Sequence, residues 1–327
     1  GWDLCFSPDG KVLASVGMRC VHLFDVASCS ERARLPMAEG VNGGLGFTRD
    51  GRALAVMAAG SVKVFEMASG GLRRNIEVAR EARGVKLHPG GRFAATSSKD
   101  TVHVVDLQEG KVVASMAAGR GGWVYALAFS ADGSKLVSGG SRMNGVVWDA
   151  TGLDRPGEAV KLKEEELRRL WEELASEDAS GAYDAVVKLA GGDGATMRFL
   201  RERMVGALNP DVKELEGLVG KLDSDQFVER EKAAEALVKW GAVTEVALEK
   251  AMKGNATPQV RAAIEDIRSR GRQSAGAEEL RLMRGIEVME IANSREGREV
   301  LEEMAKRWPA GRVREAGEGT LKRVGVR

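Results

Sequence analysis

Three histidines, three cysteines and one glycine-rich run are the residues in this sequence best suited to nucleophilic, metal-binding or phosphate chemistry. His22, His88 and His103 are scattered and show no paired spacing, so no zinc site is expected. Cys5, Cys20 and Cys29 are odd in number and lack metal-ligand spacing. This argues against a disulfide framework and for small buried or half-buried thiols in strands. Gly191-Gly192-Asp193-Gly194 is not followed by Lys and Ser or Thr, so it is not a phosphate loop. It reads instead as the end of one helix and the start of the next. No His-centred dyad, no Ser-His-Asp set and no phosphate loop is read from the chain, so the expectation is no catalytic residue, no cofactor and no metal.

Composition sets the frame for these residues. The chain has 327 residues, which suggests about two domains. Hydrophobic residues make up 43 %, enough for a sizeable core, and the net charge is +1. Residues 1–157 carry 19 Lys and Arg against 15 Asp and Glu; residues 158–327 carry 30 against 33. Neither half has the basic excess that accompanies nucleic-acid binding. The C-terminal stretch from Lys306 to Arg327, with seven basic and two acidic residues, reads as a solvated terminal helix. No run of about 18 apolar residues is present, so no membrane span is expected. The cysteine usage and the lack of a basic-then-apolar leader point to the cytoplasm.

The first half is organised by a phrase that occurs four times. Ser7-Pro8-Asp9-Gly10 precedes Val21-His22-Leu23-Phe24-Asp25, and Thr48-Arg49-Asp50-Gly51 precedes Val62-Lys63-Val64-Phe65-Glu66. His88-Pro89-Gly90-Gly91 precedes Val102-His103-Val104-Val105-Asp106, and Ser130-Ala131-Asp132-Gly133 precedes Val146-Val147-Trp148-Asp149. The turn glycines recur every 40 to 42 residues, the period of propeller blades. Each copy reads as four short strands. In the third copy they are expected near Gly84–Leu87, Arg92–Ser97, Thr101–Asp106 and Lys111–Met116, with tight hairpins at the Asp-Gly and Gly-Gly pairs. Apolar residues occur at both phases of the strands, so both faces of each sheet should be buried against neighbouring blades. His22 and His103 share one place in the repeat with Lys63 and Val146. A place that accepts His, Lys and Val reads as a strand site at the solvent edge.

Phe129-Ser130-Ala131-Asp132-Gly133 with Trp148-Asp149 resembles a WD40 repeat, as does Phe6-Ser7-Pro8-Asp9-Gly10 with Phe24-Asp25. The resemblance covers residues 1–153 and implies a toroidal β-propeller that serves protein–protein interaction without catalysis. The chain departs from the family in two ways. Gly40-Val41 and Gly119-Arg120 stand where the family has Gly-His, and the aspartate before the third strand survives as Asp100, with Asn144 a substitute in the last copy. The family's buried His-Ser-Asp-Trp network is therefore not expected to form. Propellers have 4 to 8 blades. The chain opens inside a first strand, and no outer strand follows Asp149, so the expectation is a partial propeller of about four blades with earlier blades upstream. In the family, loops joining blades share one rim with the loops before each third strand. That rim is expected to carry Arg19, Arg80, Arg83, Lys99, Arg120 and Arg142 against Glu39, Glu81 and Asp100, suiting partner proteins with acidic surfaces.

From Glu158 the composition turns helical. Leu167, Leu170, Trp171 and Leu174 form one apolar stripe; Leu215, Leu218, Val219 and Leu222 form another; Val260, Ala263, Ile264 and Ile267 a third. Ser176 and Ser224 are expected N-caps. Glu164-Glu165-Glu166 reads as a solvated helix start, favoured by the helix dipole. An offset of 48 relates Leu170, Leu174, Ser176 and Leu189 to Leu218, Leu222, Ser224 and Leu237. Units of that size, about three helices each, resemble HEAT and armadillo repeats. A third unit is expected over 260–308 with an insertion at 271–276, and a last helix near Arg312–Val324. The predicted organisation is thus multidomain β plus α: blades over 1–153, a linker over 154–163 and an all-α HEAT-like domain over 164–327. As a whole the chain is similar to bacterial proteins in which WD40 blades precede a helical tail. The expected function is a non-catalytic interaction scaffold, self-associating if the propeller is not completed upstream. The alternative is the regulatory tail of a signalling enzyme or transcription factor whose active domain lies upstream.

Overall fold

A computed structural model describes residues 3–119, 122–141, 143–153, 159–207, 212–254, 256–273, 275–306 and 311–325. The chain divides into two compact units, Gly1–Pro156 and Gly157–Arg327. Of the expected linker, residues 154–158 lie outside the described residues. Val160, further along it, forms a parallel bridge with Gly192 of the second unit.

The first unit is a series of four antiparallel meanders. Blade 1 is β1 (Leu4–Phe6), β2 (Val12–Val16), β3 (Cys20–Asp25) and β4 (Ser30–Pro36). Blade 2 is β5 (Val41–Phe47), β6 (Ala53–Ala58), β7 (Ser61–Glu66) and β8 (Leu72–Glu77). Blade 3 is β9 (Arg83–Leu87), β10 (Phe93–Ser98), β11 (Thr101–Asp106) and β12 (Lys111–Ala117). Blade 4 has three strands among the described residues, β13 (Val124–Phe129), β14 (Lys135–Gly140) and β15 (Met143–Asp149).

The repeated phrase builds the same two turns in each blade. Between the first and second strands, Ser7 Oγ donates to Asp9 Oδ1 at 2.6 Å, Asp9 accepts from Lys11 N, and Ser7 Oγ accepts from Val12 N. Thr48 with Asp50, and Ser130 with Asp132, repeat this pattern. Gly10, Gly51, Gly91 and Gly133 close the turns at φ of 71°, 71°, 83° and 73°, a region glycine enters without a Cβ penalty. In blade 3, His88 replaces the hydroxyl residue. Its Nδ1 accepts from Gly90 N at 3.0 Å, which leaves the proton on Nε2, 3.0 Å from Gly133 O of the next blade. The acid that ends each third strand holds the following turn. Asp25 accepts from Ser28, Glu66 from Ser69, Asp106 from Gln108 and Glu109, and Asp149 from Thr151. These turn bonds hold Asp149 down to about 2, the Thr151 hydroxyl first among them.

Stacking of the blades buries three apolar layers. Val12, Ala14, Val21 and Leu23 of blade 1 meet Leu45, Leu54 and Val56 of blade 2. Met57, Val62 and Val64 meet Val85, Ala94 and Val105 of blade 3. Phe93, Val102 and Val104 meet Val124, Leu127 and Leu136 of blade 4. Both phases of the strands are thus consumed, as their composition requires. The end blades each keep one uncovered apolar face: Leu4 and Phe6 on blade 1, and Tyr125, Val137 and Val147 on blade 4, where Tyr125 is 71 % exposed. His103 corrects the solvent-edge reading. It is 7 % exposed, bonded to Ser98 and Ser115 at 2.8 and 2.9 Å, and burial lowers its pKa. Its place in the repeat faces the preceding blade, so it is covered in blade 3 and half-open at His22 of blade 1.

The second unit holds α1 (Glu164–Glu173), α2 (Ala179–Ala190), α3 (Gly194–Ala207), α4 (Val212–Lys221), α5 (Phe227–Trp240), α6 (Glu245–Lys253), α7 (Pro258–Gln273), α8 (Ala277–Ala292), α9 (Arg295–Ala305) and α10 (Arg312–Gly325). The starts of α4 and α5 follow those of α1 and α2 by the predicted 48 residues. Leu167, Leu170, Trp171 and Leu174 are buried, and Leu222, Ile264 and Ile267 likewise. Asp193 Oδ1 accepts from Ala195 and Thr196 N, so the glycine-rich run ends α2 and opens α3.

Three expectations change. Ser176 and Ser224 sit two residues before the cap positions. Asp178 caps α2 by accepting from Ser180 and Gly181 N, while Ser176 Oγ accepts from Asp178 N and Ser224 Oγ from Gln226 N. The serines shape the approach to each helix; a carboxylate takes the cap of α2, while Gln226 at the cap position of α5 makes no side-chain cap bond. The first half of the expected insertion is helical, since α7 continues through Gln273, and Gly276 is the N-cap residue of α8. The helices also do not stack as a linear array, in which each repeat touches only its neighbours. One core joins α1, α2 and α3 to α8, α9 and α10; a second gathers α4, α5, α6 and α7.

Candidate interaction rim

Successive antiparallel strands place alternate connections at the same edge of a sheet. The β2–β3, β6–β7, β10–β11 and β14–β15 loops therefore share an edge with the β4–β5, β8–β9 and β12–β13 connections between blades. Backbone bonds tie these loops together: Met37 N to Arg19 O at 2.9 Å, Val78 N to Gly60 O at 3.0 Å, Val124 N to Lys99 O at 2.8 Å and Ser141 N to Trp123 O at 2.9 Å. A side chain at Gly60 would meet Ala79 O at 2.4 Å, so the loops pack without room to spare.

Four of the six predicted basic residues are described there, and all four are exposed: Arg19, Arg80, Arg83 and Lys99. Arg120 and Arg142 lie outside the described residues. The acids are not bystanders. Glu81 pairs with Lys99 at 3.2 Å, and Glu39 pairs with Lys63 at 3.5 Å. Arg83 stacks its guanidinium over Trp123 at 5.3 Å. Arg19 Nη2 reaches Ala38 O at 3.5 Å. The rim is thus held in shape by cross-loop contacts, with Arg19, Arg80 and Arg83 presenting charge outward.

Residues 110–149 match the family model described as the WD domain, G-beta repeat. The matched segment runs from β12 through the three strands of blade 4. The first unit is built of four antiparallel, propeller-like blades, and the last of them falls within the matched segment. No curated protein matches the chain. Among solved structures, the chain is similar to the hydrazine synthase of Kuenenia stuttgartiensis, at 21 % identity and a TM-score of 0.41, covering 45 % of each chain. It is also similar to the Cps50 (Swd1) β-propeller domain of Myceliophteria thermophila, at 21 % identity and a TM-score of 0.42, covering 45 % of this chain and 51 % of that one. The chain spans about half the length of these structures.

One leg of the family's buried network is present in the matched segment. Trp148 Nε1 donates to Ser138 Oγ at 2.9 Å, and Ser138 is fully buried. The sequence also concealed a His-centred cluster, which corrects the expectation that none exists. In blade 1, His22 lies between Cys20 Sγ at 3.1 Å and Glu31 Oε1 at 2.6 Å. Cys20 and His22 are two apart on β3 and so share a face, a signal legible in the strand period. Glu31 joins them only through the β3–β4 register, which shifts at a bulge between Leu23 and Phe24.

Proposed function

We propose that the chain is a non-catalytic protein–protein interaction scaffold whose WD40 rim binds acidic partner surfaces. The observation that carries this reading is the exposure of Arg19, Arg80 and Arg83 on one edge, on loops pinned to each other by backbone bonds. Charges fixed on a rigid edge steer an acidic partner and set its register without ordering cost. The helical unit supplies a second surface. The uncovered apolar faces of blades 1 and 4 suit pairing with a second copy of this chain. Its three free thiols suit work in the reducing cytoplasm.

Charge reversal tests the rim. Binding of a polyglutamate peptide should weaken at least about tenfold, on the order of 1.4 kcal/mol, when Arg19, Arg80 and Arg83 are all changed to Glu. Lys111→Glu, at the far end of the blades, should change it less than about twofold, and added salt should weaken the wild-type complex. Equal loss in both variants, or no measurable binding by the wild type, contradicts the rim assignment.

A further inference from the structure

At the junction of blades 3 and 4 the rim holds one guanidinium differently from its other exposed cations. Arg83 opens β9, where its neighbour Ala82 is fully buried and its own carbonyl accepts from Thr96 Oγ1 at 3.0 Å. The Arg83 side chain is exposed and lies over the half-buried indole of Trp123, 5.3 Å from the ring centroid. Among the described residues that guanidinium makes no hydrogen bond or ion pair.

The indole is fixed through its backbone. Trp123 N donates to Ser141 Oγ at 3.1 Å, and Trp123 O accepts from Ser141 N at 2.9 Å. Val124 N donates to Lys99 O at 2.8 Å, and Val124 O accepts from Ser97 Oγ at 3.2 Å. A Cβ on Gly140 would stand 1.8 Å from Trp123 O, so glycine there lets β14 close against this segment. A backbone held at so many points presents the ring in one place, and the ring sets the plane of the guanidinium against it. The other rim cations have no such seat among the described residues. Lys99 pairs with Glu81 at 3.2 Å, Arg19 Nη2 reaches Ala38 O at 3.5 Å, and Arg80 is exposed without a ring contact.

We propose that Arg83, seated on Trp123, is the anchor of the rim: a bidentate site for one side-chain carboxylate of an acidic partner. This rests on the rim reading above and narrows it from a charged edge to one specificity-determining contact. A guanidinium stacked on a ring keeps its N–H donors at its edges, in a fork that matches the two oxygens of a carboxylate. Ordering a long arginine side chain costs binding free energy, and here the stack orders it before the ligand arrives. Arginine and tryptophan on a rigid support are the residue types that dominate interface hot spots. The adjacent Lys99 is already matched by Glu81, so the seat itself offers one unmatched charge, which suits a carboxylate monoanion. Trp123 acts through Arg83 and is a positioning residue.

The test measures binding of a C-terminally amidated polyglutamate peptide, whose only carboxylates are side chains, to the 327-residue chain. Arg83→Ala should weaken it about tenfold. Arg80→Ala, which removes the same charge from the same edge, should weaken it less than about threefold. Arg83→Lys keeps the charge but neither the fork nor the planar stack, and should stay within about threefold of Arg83→Ala. Trp123→Leu should weaken binding about threefold in the unaltered background and less than about 1.5-fold when Arg83 is already alanine. Equal losses for Arg83→Ala and Arg80→Ala overturn the anchor and leave the charged rim standing. A Trp123→Leu effect undiminished in the Arg83→Ala background does the same. No binding by the unaltered chain overturns the rim reading and the anchor together.

Discussion

Gly44→Ala is expected to destabilise the propeller unit by about 3–4 kcal/mol, among the largest effects of any single methyl group in this chain. Gly44 lies in β5 at φ +96°, where its missing side chain lets blades 2 and 3 approach. A Cβ there would stand 2.5 Å from Gly84 Cα and 2.6 Å from Val85 N. Backbone cannot rotate away as a flexible side chain can, so the two inner strands must separate. About 1 kcal/mol of the cost is the positive φ. The remaining 2–3 kcal/mol is overpacking. Gly10→Ala isolates the first term, because Gly10 has φ +71° and open space around its would-be Cβ. Urea unfolding followed by the β signal should show about 1 kcal/mol for Gly10→Ala and three to four times that for Gly44→Ala. Equal losses would mean that the close approach of β5 and β9 is not a constraint.

In the helical unit the largest effect is expected at Arg284. This side chain on α8 is 2 % exposed, and its Nη1 donates to Leu174 O at 2.7 Å and Ser176 O at 2.8 Å. Those carbonyls close the C-terminal end of α1, where the helix dipole favours a cation. Arg284→Ala removes two charge-assisted bonds, strands carbonyls in a buried site and opens a cavity, together about 4 kcal/mol. Arg284→Lys keeps the charge but not the fork and should recover about half of that loss. The urea midpoint at 222 nm reads both variants. An alanine variant within about 0.5 kcal/mol of the unaltered chain would show that α8 does not clamp α1.

The blades were legible because their information is local. Asp9-Gly10, Asp50-Gly51 and Asp132-Gly133 specify turns within four residues, and the acids Asp25, Glu66, Asp106 and Asp149 hold turns that follow them directly. The helix stripes were legible for the same reason. What escaped depends on distant partners. Arg284 is 110 residues from Leu174, and nothing in the 48-residue offset indicates that α8 returns to α1 and α2 instead of extending an array. His103 looked like an edge residue because its counterparts are Lys63 and Val146. Its burial comes from the blade before it. Part of the rim was legible, since alternate loops of a meander must share an edge. The pairing of Lys99 with Glu81 and the seat of Arg83 on Trp123 were not, because they join separate loops 18 and 40 residues apart in the chain.

The scaffold reading stands or falls on what the rim touches in the cell. A photo-cross-linking residue placed at Arg80 in the source organism should capture one protein reproducibly, through an acidic segment identified by mass spectrometry. The same residue placed at Glu109, between β11 and β12 at the opposite edge, should not capture it. Equal capture at both sites, or no reproducible partner at Arg80, would contradict the account.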